Sequence, residues 1–63
     1  MKNNIKDLRK DKKLSQAKLA ELCNVTRQTI NAIENDKYDP TLQLAFDLAK
    51  ELNTTVDGLF HPD

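Results

Sequence analysis

The sequence predicts an all-α fold, a compact bundle of five short helices, and three of its features carry that prediction. Apolar residues recur three or four positions apart, the period of a helix buried along one face. There is a single glycine, and the β-branched alternation that marks a strand is scarce. Hydroxyl side chains, at Ser15, Thr26, Thr41 and Thr55, stand just ahead of successive periodic runs, where an N-cap accepts an otherwise unpaired backbone N–H.

In chain order, the first helix covers residues 4–11, with Ile5 and Leu8 turned inward and lysines outward. Ser15 caps the second, residues 16–23, whose Leu19, Ala20 and Cys23 share one face. Asn24 and Val25 follow, and Thr26 caps a third helix over residues 27–35. Residues 36–40 form a loop, because Pro40 ends a helix and disfavours helical backbone at Asp39. Thr41 caps the fourth helix, residues 42–52, with Leu42, Ala45, Leu48, Ala49 and Leu52 as its inner stripe. Leu44 and Phe46 flank that stripe; they either widen the core contact or, in one of the two, help to form an interface with a second copy, for which Leu59, Phe60 and the C-terminal tail are the other candidates. Asn53 and Thr54 end this helix, and Thr55 caps a short fifth one reaching Phe60, held by Val56 and Leu59. Gly58 weakens the fifth helix by roughly 1 kcal/mol relative to alanine. A short strand at Lys2 and Asn3, pairing near His61, completes the expected architecture.

Residues 1–63 read as one domain, near the lower size limit for folding on core burial alone. Such a core supplies roughly 3–5 kcal/mol. The lone cysteine, Cys23, follows the inner stripe as a small core residue and cannot form an internal disulfide. His61, the only histidine, has no matching ligand partner, so no metal site is expected. Without a Ser/His/Asp set the chain offers no catalytic residues, and neither enzyme chemistry nor a cofactor is expected. Self-association is the remaining way to bury more surface, which makes a homodimer the expected state. The absence of a signal pattern, and of any apolar run near about 18 residues, points to a cytoplasmic protein with no membrane partner.

The formal net charge of zero argues against a nucleic-acid partner until its distribution is considered. Residues 1–38 hold nine Lys/Arg against five acids, a net of +4, whereas residues 39–63 hold Lys50 against five acids, a net of −4. A basic half and an acidic half fit a partner approached from one side, although ordinary solvated faces produce the same pattern. Charge alone does not decide.

The connection between the second and third helices is more informative. Two helices of eight and nine residues joined by three residues, with apolar Val25 in the turn, form a helix-turn-helix; the spacing alone also fits an ordinary helical hairpin. Asn24 sits where the backbone turns left-handed, which asparagine tolerates. At about 100° per residue, Ile30 and Ile33 of the third helix point to the core. Arg27, Gln28, Asn31, Ala32 and Asn35 occupy the opposite arc, with Thr29 and Glu34 at its edges. An ordinary surface helix carries Glu/Lys pairs there. Arginine instead matches two acceptors on guanine, and Gln or Asn match the N6/N7 edge of adenine in the major groove. Arg27 and Gln28 lie in the first turn, the end of a recognition helix that enters the groove. Phosphate contacts should flank this face, from Gln16 at the start of the second helix and from Asn35, Lys37 and Tyr38 past the third. A solvent-exposed Gln16 and a Tyr38 packed on the fourth helix are the plainer alternatives. Lys10, Lys12, Lys13 and Lys18 add long-range attraction.

The set Ser15, Gln16, Leu19, Ala20, Val25, Thr26, Arg27, Gln28, Thr29, Ile30, Ile33, Glu34, Asn35, Lys37, Tyr38 and Pro40, continued by Leu42, Leu48, Ala49, Leu52, Leu59 and Phe60, resembles the Cro/C1-type helix-turn-helix family of phage and bacterial repressors. The likeness is greatest to minimal stand-alone members such as the short cytolysin-operon-type repressors. It implies a lambda-repressor-like domain that binds double-stranded DNA at palindromic operators as a homodimer, with no small-molecule ligand. It further implies base contacts from Arg27, Gln28 and Asn31, with Thr29 at the groove edge, and backbone contacts from Gln16, Asn35, Lys37 and Tyr38. It also implies that Arg9 pairs with Glu34 as a structural ion pair holding the third helix. Asn24 and Asp36 stand where the family often has glycine, and both types accept a left-handed backbone. Asp39 places an acid near the expected phosphate path, either pointing away or capping the fourth helix. An antitoxin or protein-binding adaptor, with DNA binding secondary, is the alternative function.

Overall fold

The computed structural model describes residues 1–62 and runs β1 (Lys2–Asn3), α1 (Ile5–Asp11), α2 (Gln16–Leu22), α3 (Arg27–Glu34), α4 (Leu42–Glu51), α5 (Val56–Leu59) and β2 (Phe60–His61). Local chemistry sets where four of the helices begin. The hydroxyls of Ser15, Thr26, Thr41 and Thr55 accept the backbone N–H of Lys18, Thr29, Leu44 and Gly58, each three residues on. A cap of this kind is worth about 1 kcal/mol. α1 begins differently. Asn4 occupies the cap position without a side-chain cap bond, and Asn3 Oδ1 accepts the N–H of Ile5 instead, at 3.1 Å.

The first four helices all end alike. Lys13, Asn24, Asp36 and Asn53 take φ between 57° and 59°. The next residue's N–H reaches back five positions, Leu14 to Arg9, Val25 to Ala20, Lys37 to Ala32 and Thr54 to Ala49, at 2.9–3.0 Å. This is the Schellman closure, which satisfies carbonyls a helix end would otherwise leave unpaired. Asparagine and aspartate enter the left-handed region readily, whereas Lys13 does so at roughly 1 kcal/mol.

These closures trim the sequence-based boundaries. Cys23, Asn35 and Leu52 are C-caps rather than helical residues, and Phe60 has left α5 for β2. β1 and β2 pair antiparallel, Lys2 opposite His61 and Asn3 opposite Phe60. Leu42 departs from expectation: it is 69% exposed, because the first residue of α4 projects past the edge of the core. Leu44 is buried and Phe46 is 57% exposed, so of the two flanking residues only Leu44 widens the core. Gly58 is more than a weak helix former. A Cβ there would meet Thr54 Oγ1 at 2.9 Å and the capping Thr55 Oγ1 at 3.0 Å, so alanine would disturb the cap.

Ile5, Leu19, Ile30, Ile33, Leu48 and Leu59 are fully enclosed, one or two from each helix, with Val25 and Val56 packed on the cluster. Cys23 belongs to this core at 5% exposure. Burial, aided by the Glu51 and Asp47 carboxylates, pushes its thiol up from 9.0 to about 11. Native Cys23 should therefore resist a thiol reagent near about pH 8 and react only as fast as the chain unfolds. Because the unfolded thiol loses its proton first, the stability this group contributes should fall as pH rises from 9.0 towards about 11, read by urea titration against Cys23→Ala.

Candidate nucleic-acid interface

α3 directs Ile30 and Ile33 into the core, at 0% and 1% exposure, which turns Arg27, Gln28 and Asn31 to solvent. Among the described residues, the side chains of Arg27 and Gln28 have no hydrogen bond or ion pair. Ala32 and Thr29 are half-buried at the margins of the face. The Thr29 hydroxyl lies 3.0 Å from that of Thr26, engaged with the cap. Lys37 and Tyr38 are exposed just past α3, Tyr38 at 49%.

One buried ion pair fixes this helix. Arg9 Nε donates to Glu34 Oε2 at 2.7 Å and a second guanidinium nitrogen donates to Oε1 at 3.2 Å, a two-pronged pair with side chains only 10% and 3% exposed. The third guanidinium nitrogen donates to the Leu14 carbonyl at 2.9 Å, tying in the α1–α2 turn. Every buried side-chain polar atom among the described residues finds a partner.

Gln16 is neither a free first-turn residue nor simply aimed at solvent. Its Nε2 donates to Glu34 Oε1 at 2.9 Å, and its Oε1 accepts from Asn31 Nδ2 at 3.4 Å. Asn35 folds back onto its own helix, donating to the Asn31 carbonyl at 2.9 Å and to Asn31 Oδ1 at 3.3 Å. Of the expected phosphate set, Lys37 and Tyr38 are therefore unencumbered, while Gln16 and Asn35 are already engaged.

Asn3 is a contributor that sequence reasoning missed. Its Nδ2 donates to the Ile33 carbonyl at 2.8 Å and to Asp36 Oδ1 at 3.2 Å, clamping the far end of α3 to the terminal ladder. No local pattern announces a contact thirty residues away. Asp39 neither caps α4 nor stands alone: it accepts from the N-terminal ammonium of Met1 at 3.2 Å, which offsets the acid in this loop. Lys18 is paired with Glu21 at 2.9 Å and holds that carboxyl below its usual range, so its charge is partly cancelled. Among the described residues, no cluster of His, Cys, Asp and Glu could hold a metal ion, and no helix is long and apolar enough to cross a membrane.

A family model described as helix-turn-helix matches residues 5–59. An uncharacterized HTH-type transcriptional regulator of Methanocaldococcus jannaschii is 47% identical over 60 residues, covering 95% of this chain and 91% of that protein. The immunity repressor protein of Bacillus phage phi105 is 38% identical over 55 residues, 87% of this chain but only 38% of the phage protein. Among solved structures, the restriction-modification controller protein C.AhdI from Aeromonas hydrophila matches with a TM-score of 0.83 at 30% identity, over 90% of this chain and 86% of that one.

The buried pair makes a stability prediction. Arg9→Ala would leave the Glu34 carboxylate unpaired in the interior and should cost about 3–5 kcal/mol, comparable to the whole stability of so small a core. Arg9→Met combined with Glu34→Leu should recover most of that loss in urea unfolding, since no charge is then stranded.

Proposed function

The chain belongs to the Cro/C1-type helix-turn-helix family of DNA-binding transcriptional regulators, and from that premise we propose that it is a repressor binding a palindromic operator as a homodimer. The observation that carries this reading is the exposed face of α3, where Arg27 and Gln28 stand on a capped first turn with no side-chain hydrogen bond or ion pair among the described residues. A fixed helix backbone adds no ordering cost of its own when unpaired side-chain donors and acceptors meet base edges, so the entropy lost is that of the side chains alone. Arg27, Gln28 and Asn31 read bases, with Thr29 at the groove edge. Lys37 and Tyr38 hold the sugar-phosphate backbone. Gln16 can add a contact through its second Nε2 hydrogen, and Asn35 joins only by releasing Asn31. The similarity to a phage immunity repressor supports repression as the outcome of binding.

One recognition helix spans only a few base pairs, so a second copy is needed to place two such helices about 34 Å apart in successive major grooves. Leu42 and Phe46, one turn apart on α4 and 69% and 57% exposed, are the large apolar residues best placed to meet that copy. Leu42 also lines a shallow apolar groove of about 250 Å³ with Pro40, Val56 and Phe60. Phe46→Glu should leave the helical content intact, convert dimer to monomer in sedimentation, and weaken operator binding at least about tenfold.

Selection of bound sites from random duplex DNA should return a palindrome with half-sites about one helical turn apart. Gln28→Ala should relax one base position per half-site, whereas Lys37→Ala should weaken all sequences alike and shallow the salt dependence by about one unit of slope. Recovery of no enriched sequence, with affinity staying near about 10⁻⁴–10⁻⁶ M for any duplex, would overturn the reading.

A further inference from the structure

The contacts of Gln16 form a chain with a single sense. An ionised carboxylate only accepts hydrogen bonds, and Glu34 takes two from Arg9 and one from Gln16. Gln16 must therefore turn its NH₂ toward Glu34, which leaves its Oε1 facing Asn31. Oε1 is an acceptor, so Asn31 must turn its NH₂ toward Gln16, and Asn31 Oδ1 then lies on the opposite edge, where Asn35 donates to it. Side-chain amides have nearly symmetric shapes and ordinarily settle their orientation by whatever partners they meet. Here Gln16 dictates the orientation from the buried end, and Asn35, whose NH₂ is set by the Asn31 carbonyl, supports the same sense from the other side. The Gln16 links measure 2.9 Å to Glu34 and 3.4 Å to Asn31, and Asn35 reaches Asn31 Oδ1 at 3.3 Å.

We propose that Gln16 is a specificity-determining positioning residue, which transmits the acceptor-only character of buried Glu34 to Asn31 and so fixes which edge of the Asn31 amide donates and which accepts in the groove. The inference rests on the reading of α3 as the base-reading helix. An amide held in one orientation matches a base edge with its acceptor and donor in one order, and rejects the reverse order. A freely flipping amide accepts both. Asn31 thus discriminates most strongly while Gln16 holds it, although Gln16 itself touches no base.

The test is Gln16→Met, which keeps the length and packing of the side chain, leaves both Arg9–Glu34 bonds in place and removes the amide. Site selection should show the preference at the base position sensitive to Asn31→Ala falling from about tenfold to about twofold, with the positions read by Arg27 and Gln28 unchanged. In the Asn31→Ala background, Gln16→Met should add nothing at that position, as expected for two residues acting as one unit. A uniform loss of affinity with every base preference intact would overturn the proposal and leave Gln16 as a backbone contact; so would no change at all. The side-chain order parameter of the Asn31 amide, measured by NMR without DNA, should fall in Gln16→Met, and an unchanged value would also overturn it. If the unsubstituted chain selects no sequence, the base-reading role of α3 fails instead, an outcome separable from the amide measurement.

Discussion

The Arg9–Glu34 pair is the constraint on which the geometry of the interface depends. It joins the last full turn of α1 to the last residue of α3 and, through the Leu14 carbonyl, to the turn that launches α2. Burying two charges gives little net stability, because desolvation offsets most of the attraction. What the pair supplies is uniqueness: apolar packing alone lets a short helix roll or slide by a fraction of a turn, whereas a two-pronged guanidinium–carboxylate contact has one geometry. Asn3 acts as a second clamp at the Ile33 carbonyl, so the C-terminal end of α3 is held from two directions while Arg27 and Gln28 of its N-terminal turn face solvent. The base-reading role proposed for α3 needs this combination, a fixed base and an uncovered tip.

The turn between α2 and α3 is less special than its place in the motif suggests. Residues 13–15, 24–26 and 53–55 follow one plan: a left-handed residue, a residue closing the Schellman bond, and a hydroxyl cap for the next helix. Leu14 and Val25, in the middle position, both pack on the core. One three-residue joint thus builds three of the four helix connections. The interface is distinguished by what α3 carries, not by how the chain reaches it.

Much of this was legible because its causes are local. The caps Ser15, Thr26, Thr41 and Thr55 act within three residues, and the left-handed turns at Asn24 and Asp36 follow from side chains that tolerate them. The exposed arc of α3 follows from the helical period once Ile30 and Ile33 are assigned to the core. Lys13 was not legible, because lysine has no preference for the left-handed region; the Leu14 N–H on the Arg9 carbonyl and the Arg9 guanidinium on the Leu14 carbonyl hold it there. Leu42 was misplaced because periodicity gives a direction around the helix and not the point along it where the core ends. The ties of Gln16 to Glu34, of Asn3 to Ile33 and of Asp39 to the N-terminus join residues distant in sequence. The resemblance supplied one such tie, Arg9 to Glu34, and no pattern supplied the others.

Because the side chains of Arg27 and Gln28 have no hydrogen-bond or ion-pair partners among the described residues, replacing either of them leaves the fold's energetics almost untouched. On the base-reading role proposed for α3, that makes its first turn a place where a lineage can drift to a new target site over evolutionary time without passing through unstable intermediates. Asn31, linked through Gln16 to the buried pair, lacks that freedom. Two duplicated copies of such a gene would be expected to diverge first at positions 27 and 28, and only later, in concert with position 16, at 31.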